Sequence, residues 1–230
     1  MINIFSSLFE ALLPRYCYGC KDVLVSGEDV LCTKCLLELT HTFNFLDENN
    51  DLADRISINY PVKNAVAFLF YDRQSLESRL IHSFKYNDDL VIGKFLTKLF
   101  CTQLKQRDWI NNIDYIIPLP LHWRRKLHRG YNQSEIISRE IGKYFDIKVK
   151  TNCIKRVRYN KSQTKMTKEK RWENVKDIFA VKNTKQLEGK HILLVDDIAT
   201  TGASLNFCIK ALSTIKDINI SVLVIASTQK

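Results

Sequence analysis

Apolar residues fall along this chain in two alternating patterns. Residues 65–71 (AVAFLFY), 115–117 (YII), 192–195 (ILLV) and 221–226 (SVLVIA) are short, nearly uninterrupted apolar runs, the pattern of strands buried on both faces. Between them the spacing changes to one or two apolar residues per helical turn. Residues 76–104 carry Leu80, Ile81 and Phe84, then Leu90, Phe95, Leu96, Leu99 and Phe100. Asn87, Asp88 and Asp89 interrupt that stretch and offer a cap for a second helix. Pro118-Leu119-Pro120 ends the second strand, because proline cannot continue a central ladder. Another helix starts at Asn132 or Ser134, with Ile136, Ile137, Ile141 and Phe145 on one face. Residues 204–215 form a further amphipathic helix through Leu205, Cys208, Ile209 and Leu212. Strands alternating with helices predict an α/β fold, a mostly parallel sheet flanked by helices. The chain carries no internal repeat and no low-complexity segment.

At 230 residues the chain can bury one sizeable core and carry a small appendage. An acidic, polar stretch (Asp47, Glu48, Asn49, Asn50, Asp51, Asp54) ahead of Tyr60-Pro61 divides it. Residues 1–59 are expected to form an N-terminal module with its linker, and residues 60–230 the main domain. The apolar start (Ile2, Ile4, Phe5, Leu8, Phe9) has no basic leader and contains Glu10, which predicts a short amphipathic helix packed on the body rather than a secretory signal. No run reaches the roughly 20 apolar residues of a membrane span.

Cysteine defines the N-terminal module. Cys17-Tyr18-Gly19-Cys20 and Cys32-Thr33-Lys34-Cys35 are two CxxC pairs separated by eleven residues. Two residues between thiols let both sulfurs face one centre, and two such turns complete a tetrahedral, structural zinc site with no position left for a catalytic water. A redox-active CxxC is the alternative, but neither pair stands between a strand and a helix. Cys101, Cys153 and Cys208 are scattered and read as single thiols. Seven cysteines so spaced fit a reducing, cytoplasmic compartment.

Charge sharpens the picture of the main domain. The formal net charge is +10, and residues 122–176 hold 17 Lys or Arg against five Asp or Glu, leaving the rest at −2. Such a block attracts polyphosphates or nucleic acid over long range; a solvated basic loop is the plainer alternative. Tyr131, Tyr159 and Trp172 interleave with the basic residues, as stacking platforms for a single strand would.

The most specific chemistry lies at residues 191–204 (HILLVDDIATTGAS). An apolar strand ends in Asp196 and Asp197 and turns through Ala199, Thr200, Thr201, Gly202, Ala203 and Ser204 into a helix. The loop offers backbone amides and three hydroxyls to one terminal phosphate. The paired acids are expected to diverge, one towards ribose hydroxyls and the other towards a metal shell or the fold. Ligands of such sheets bind outside the carboxyl ends of the strands. Neither the dinucleotide fingerprint nor the Walker pattern is present.

VDDIATTGAS resembles the phosphoribosyl-pyrophosphate motif of type I phosphoribosyltransferases. The chain as a whole resembles the ComF family, through the four cysteines, Phe84-Lys85-Tyr86, Pro118-Leu119-Pro120-Leu121-His122 with Arg124, Arg125 and Arg129, Gly130-Tyr131-Asn132-Gln133, and Arg158, Gln163, Thr164, Arg171 and Asn174. The resemblance implies that Asp196 and Asp197 are the catalytic pair holding the ribose hydroxyls, with residues 200–204 on the 5-phosphate. It places a pyrophosphate loop after Pro120, with Arg124, Arg125 and Lys126 as its cations and Lys85 as another. Residues 156–171 would be a mobile loop over the substrates, or else a basic connection. Magnesium would accompany phosphoribosyl pyrophosphate. Tyr131, Asn132 and Gln133 either contact an acceptor or cap and pack the helix.

The resemblance further implies a cytoplasmic role in natural transformation, handling incoming single-stranded DNA, in some bacteria beside a helicase-like competence protein. Two other readings stand next to it: a metabolic phosphoribosyltransferase acting on a small base or amine, and a non-catalytic protein that docks through its zinc module.

Overall fold

The computed structural model describes residues 14–47, 50–57, 60–86, 89–157 and 178–229. Four parallel strands form the central sheet: β1 (Ala65–Phe70), β2 (Tyr115–Pro118), β5 (His191–Ala199) and β6 (Asn219–Ser227), in the order β1-β6-β5-β2. The register sets Ala65 opposite Val222, Val195 opposite Leu223 and Pro118 opposite Val195. Successive side chains of a strand face opposite sides. Phe68, Leu193 and Val195 accordingly join one core, and Ala67, Ile192 and Leu194 the other.

Over the first face lie α3 (Leu76–Tyr86), α4 (Leu90–Leu104) and α6 (Gln133–Phe145), together with buried Cys17, Leu24, Val30, Leu31 and Cys35 of the cysteine module and its helix α1 (Thr33–Leu37). Over the second lie α2 (Asp51–Ile56), α7 (Ala203–Leu212) and an antiparallel pair, β3 (Ile154–Arg156) with β4 (Phe179–Val181). The result is the expected parallel sheet flanked by helices. Among the described residues no helix is long and apolar enough to cross a membrane. The expected N-terminal helix over residues 1–13 and most of the expected mobile loop, with Arg158, Tyr159, Gln163, Thr164, Arg171, Trp172 and Asn174, lie outside the described residues.

Four local differences from the sequence pattern matter. β5 does not stop at Val195 but continues pairing with β6 as far as Ala199 opposite Ser227. The nine-residue β6 sets Val224 opposite Asp196, Ala226 opposite Ile198 and Ser227 opposite Ala199, so both acids lie within the strand rather than beyond its end. Asp89 does precede α4, but its side chain makes no cap bond and instead accepts from the Ser83 hydroxyl. The basic stretch after Pro120 is a helix, α5 (Trp123–Arg129), begun by the His122 ring accepting from the Arg124 amide. Finally, the polar stretch 36–59 contains α2, whose Leu52 and Ile56 are fully buried against the sheet.

That segment also covers the free edge of β1. The Thr42 amide and hydroxyl donate to Phe68 and Ala67 carbonyls, the Phe70 amide donates to Thr40, and the Ala67 amide donates to Asn44 Oδ1. An uncovered edge would present these groups to other chains. Asn50 joins the two roles: its oxygen caps α2 at Leu52 and Ala53, while its amide donates to the carbonyls of Asn44, Asp47 and Ala65. Asn50→Ala is expected to lower stability by about 2 kcal/mol, the upper end for loss of a cap, because the edge bonds go with it. Urea unfolding of the two proteins measures the difference.

Candidate functional site

The carboxyl ends of β5 and β2 open onto a cleft of ≈ 210 Å³, lined by Lys85, Leu119, Pro120, Leu121, Arg125, Arg129, Asn132, Gln133, Ser134, Arg156, Asp196, Asp197, Ile198, Thr200 and Ser204. The two acids have separate partners. Asp197 Oδ2 meets Lys85 Nζ, from the last turn of α3, at 3.1 Å, with both side chains largely buried. Asp196 Oδ1 accepts from Ser134 Oγ at 2.8 Å and from the Asp197 amide at 2.9 Å. Burial, and next the Asp197 charge, push the Asp196 carboxyl up to about 7 against those two hydrogen bonds and Lys85.

Cations ring the acids. Arg156 ends β3 with its guanidinium 5.5 Å from the Phe179 ring and its buried Nε without a hydrogen-bond partner among the described residues. Arg129 donates to Gln133 Oε1 at 3.2 Å and to the Tyr86 hydroxyl at 3.0 Å. The positive field registers on buried His122, where burial, followed by Arg156, Arg124 and Arg125, holds the imidazole below its ordinary pKa. Four cations against two carboxylates suit a polyanion that also carries neutral hydroxyls.

The loop after β5 supplies the other half of the site. Gly202 takes the left-handed conformation (φ 72°) and starts α7. Any side chain there would be strained by that φ, and its Cβ would come within 3.0 Å of Ile56. The Ala203 amide makes a long contact of 3.4 Å with Thr201 Oγ1. Among the described residues, the amides of Thr200, Thr201, Gly202 and Ser204 are bound to no backbone carbonyl. Unclaimed amides at the start of a ten-residue helix favour an anion. Across Thr200 and Thr201 lies a second, more open cavity of ≈ 750 Å³, also lined by Phe70, Tyr71, Asp72, Arg73, Gln74, Thr228 and Gln229.

Of the expected residues, Lys85, Arg125, Asp196, Asp197, Thr200 and Ser204 meet in the cleft, and Thr201 faces the neighbouring cavity. Ala199 is buried at the end of β5, while Gly202 and Ala203 form the turn into α7. Arg124 and Lys126, exposed on α5, do not line the cleft. The Gly130–Gln133 stretch packs. Tyr131 Oη donates to the Phe84 carbonyl, Asn132 Nδ2 to Leu119 and Gln133 Nε2 to Lys85. Ser134 was legible only as a helix start, and Arg156 only as the first residue of the expected mobile loop or basic connection, whereas it ends β3.

The four module thiols, Cys17, Cys20, Cys32 and Cys35, lie within 4.8 Å of one another, and Cys20 and Cys32 Sγ are 3.7 Å apart. A tetrahedral zinc with four sulfurs needs sulfurs about 3.8 Å apart. Burial opposes the Cys17 thiolate, but amide donors, that of Cys32 first, outweigh it and bring the thiol to about 6. Gly19 lets the knuckle close, since a Cβ there would lie 2.7 Å from Cys35 Sγ. The set fits a closed metal centre. Cys101, Cys153 and Cys208 are buried singly.

The raised Asp196 carboxyl makes stability depend on pH. The unfolded group titrates near 4 and the folded one near 7. The folded state therefore holds the extra proton between those values, and stability falls as pH rises through them. Asp196→Asn, which keeps both acceptor bonds on its Oδ1, removes that slope. Its gain over the parent protein, read from urea unfolding, is expected to be near zero at pH 4 and to grow to about 1–3 kcal/mol at pH 8, after discounting for partial exposure.

Residues 127–227 match the phosphoribosyl transferase domain family. Competence protein F of Haemophilus influenzae is 31% identical over 133 residues, 56% of this chain and 58% of that protein. DNA utilization protein YhgH of Escherichia coli is 27% identical over 130 residues, 55% of this chain and 56% of that one. Competence protein ComFC of Bacillus subtilis is 30% identical over 103 residues, 42% of this chain and 37% of that one. The chain thus spans about half the length, or less, of these relatives. The acid pair on its strand, the anion loop and this set of matches agree: residues 127–227 are phosphoribosyl transferase-like, and the chain is similar to the competence and DNA utilization proteins of the ComF type.

Proposed function

We propose that the cleft binds phosphoribosyl pyrophosphate with magnesium, and that the chain serves natural transformation by handling incoming single-stranded DNA. The observation that carries the first half is the meeting of Asp196, Asp197, four cations and the amides of Thr200, Thr201, Gly202 and Ser204, which no backbone carbonyl claims among the described residues, around one cleft. In this reading Asp196 and Asp197 hold the ribose hydroxyls, the loop cups the 5-phosphate, and Lys85, Arg125, Arg129 and Arg156 meet the pyrophosphate. Magnesium enters as part of the substrate complex, on phosphate oxygens and its own waters. Pyrophosphate leaving the anomeric carbon would build negative charge beside the cations and positive charge beside the carboxylates, so the same groups favour transfer. The acceptor is left open, since Asn132 and Gln133, the cleft's amide side chains, are occupied by backbone carbonyls. In the same reading zinc closes the four-cysteine centre as a structural ion.

The relatives' names, competence and DNA utilization, support the second half. So does α5, where Trp123 is 57% exposed with the Arg124 guanidinium 5.2 Å from its ring. An aromatic face beside cations suits an unpaired base next to its phosphate.

Calorimetric titration with phosphoribosyl pyrophosphate and magnesium is expected to show saturable binding. The Asp196→Asn, Asp197→Asn double variant should lose about a hundredfold or more in affinity, through two charge-assisted hydrogen bonds, and should abolish transformation while circular dichroism stays unchanged. Unaltered transformation by that variant would refute the reading. For the DNA surface, Trp123→Ala should weaken oligothymidylate binding about tenfold in low salt, one stacked base's worth. Equal binding by both proteins would remove α5 from the interface.

A further inference from the structure

The anion loop is held from beneath by α2, ahead of the first strand of the sheet and outside the matched residues 127–227. Arg55 Nη1 donates to the Thr200 carbonyl at 2.6 Å and to Thr228 Oγ1 at 3.0 Å, and Nη2 donates to Ser227 Oγ. Its Nε donates to the Asp51 carbonyl at 3.1 Å, which fixes the side chain along its own helix. The Arg55 carbonyl accepts from Asn206 Nδ2 of α7 at 3.0 Å. Thr228 Oγ1 adds a second donor to Thr200 at 3.1 Å. One residue thus ties together the loop after β5, the end of β6 and the first turn of α7.

We propose that Arg55 is the positioning residue of the anion loop, setting the direction of the amides that receive the 5-phosphate. The inference rests on the phosphoribosyl pyrophosphate reading above. Its physical basis is the planarity of the peptide unit. The C=O and the following N–H of a trans peptide point in opposite directions. With the Thr200 carbonyl drawn down onto the guanidinium, the Thr201 amide turns away from α2 to the outer side of the loop. Gly202 then has room only for hydrogen above Ile56, so the next peptide is confined as well. A charge-assisted bond to a carbonyl is stronger than a neutral one. The fork also reaches strand and loop together, which a single ammonium cannot do. Arg55 does not itself line the cleft; it reaches it through Thr200, which does.

The test uses the full-length, zinc-loaded protein and two separate probes, ribose 5-phosphate and magnesium pyrophosphate, titrated calorimetrically. Loss of positioning should fall on the probe that needs the loop. Arg55→Met is expected to weaken ribose 5-phosphate binding about ten- to a hundredfold, with magnesium pyrophosphate changed less than about twofold. Arg55→Lys should fall between the two proteins. Thr228→Val, which keeps the guanidinium–carbonyl bond, should lose only a few-fold. A merely structural role would weaken both probes together, and that result, or unchanged binding of both, overturns the proposal. Should Arg55→Met not fold, Arg55→Lys and Thr228→Val carry the same split. Parent protein that binds neither probe refutes the phosphoribosyl pyrophosphate reading itself. Parent protein that binds both, with variants that bind both equally well, refutes the role of Arg55 alone.

Discussion

Two adjacent carboxylates within a central strand set the terms for everything around them. A carboxylate leaves water at a cost of several kcal/mol unless a partner replaces the solvent. Asp197 is met by Lys85 and Asp196 by Ser134 and a backbone amide, yet Asp196 still holds its proton to about 7. Apolar residues in this ladder would make a more stable sheet. The arrangement is therefore one that stability alone would not keep, and its use lies in what it presents at the sheet edge.

The walls of the cleft are fastened by side chains whose role could not be assigned from the sequence. Tyr131, Asn132 and Gln133 each donate to a carbonyl of another element: Phe84 and Lys85 of α3, and Leu119 after β2. These bonds seat the start of α6 against α3 and β2, which brings Ser134 to Asp196 and Lys85 to Asp197. A polar tetrapeptide at a helix start offers an acceptor site or a set of packing bonds equally well on paper. Burial decides, because Gln133 is 1% exposed and a buried amide must spend its donors within the protein.

The strands and the long helices were legible because each carries a full period of its own pattern, as in residues 65–70 or 90–104. Shorter elements were not. α2 offers only Leu52 and Ile56, four apart, within an acidic stretch, and its burial depends on an edge of β1 that sequence spacing cannot reveal. β3 and β4 have three residues each and pair across a long separation. The end of β5 was misread because Asp196 and Asp197 look like a turn until the length of β6 is known. In the site, the acids and the loop were readable from local order, since a strand, two carboxylates and small polar residues are contiguous. Arg55, Ser134 and Arg156 come from three other elements, and only the fold brings them near. Lys85 was found through likeness, not through spacing.

The domain match begins at residue 127, but the cleft does not. Lys85 and Arg125 come from earlier in the chain, as does the Arg55 support. The cysteine module belongs to the same mechanical unit. Cys17, Cys35, Leu24 and Leu31 share one core with Leu76, Leu80, Ile81 and Phe84 of α3, and a Cβ on Gly19 would reach Leu76 at 2.9 Å. α3 is thus held between the thiol cluster and the sheet, and its last turn delivers Lys85 to Asp197. A metal held by the four thiols would need no contact with substrate to matter here. By fixing the knuckles it would fix one side of α3, and through α3 the ammonium that neutralises a carboxylate of the cleft.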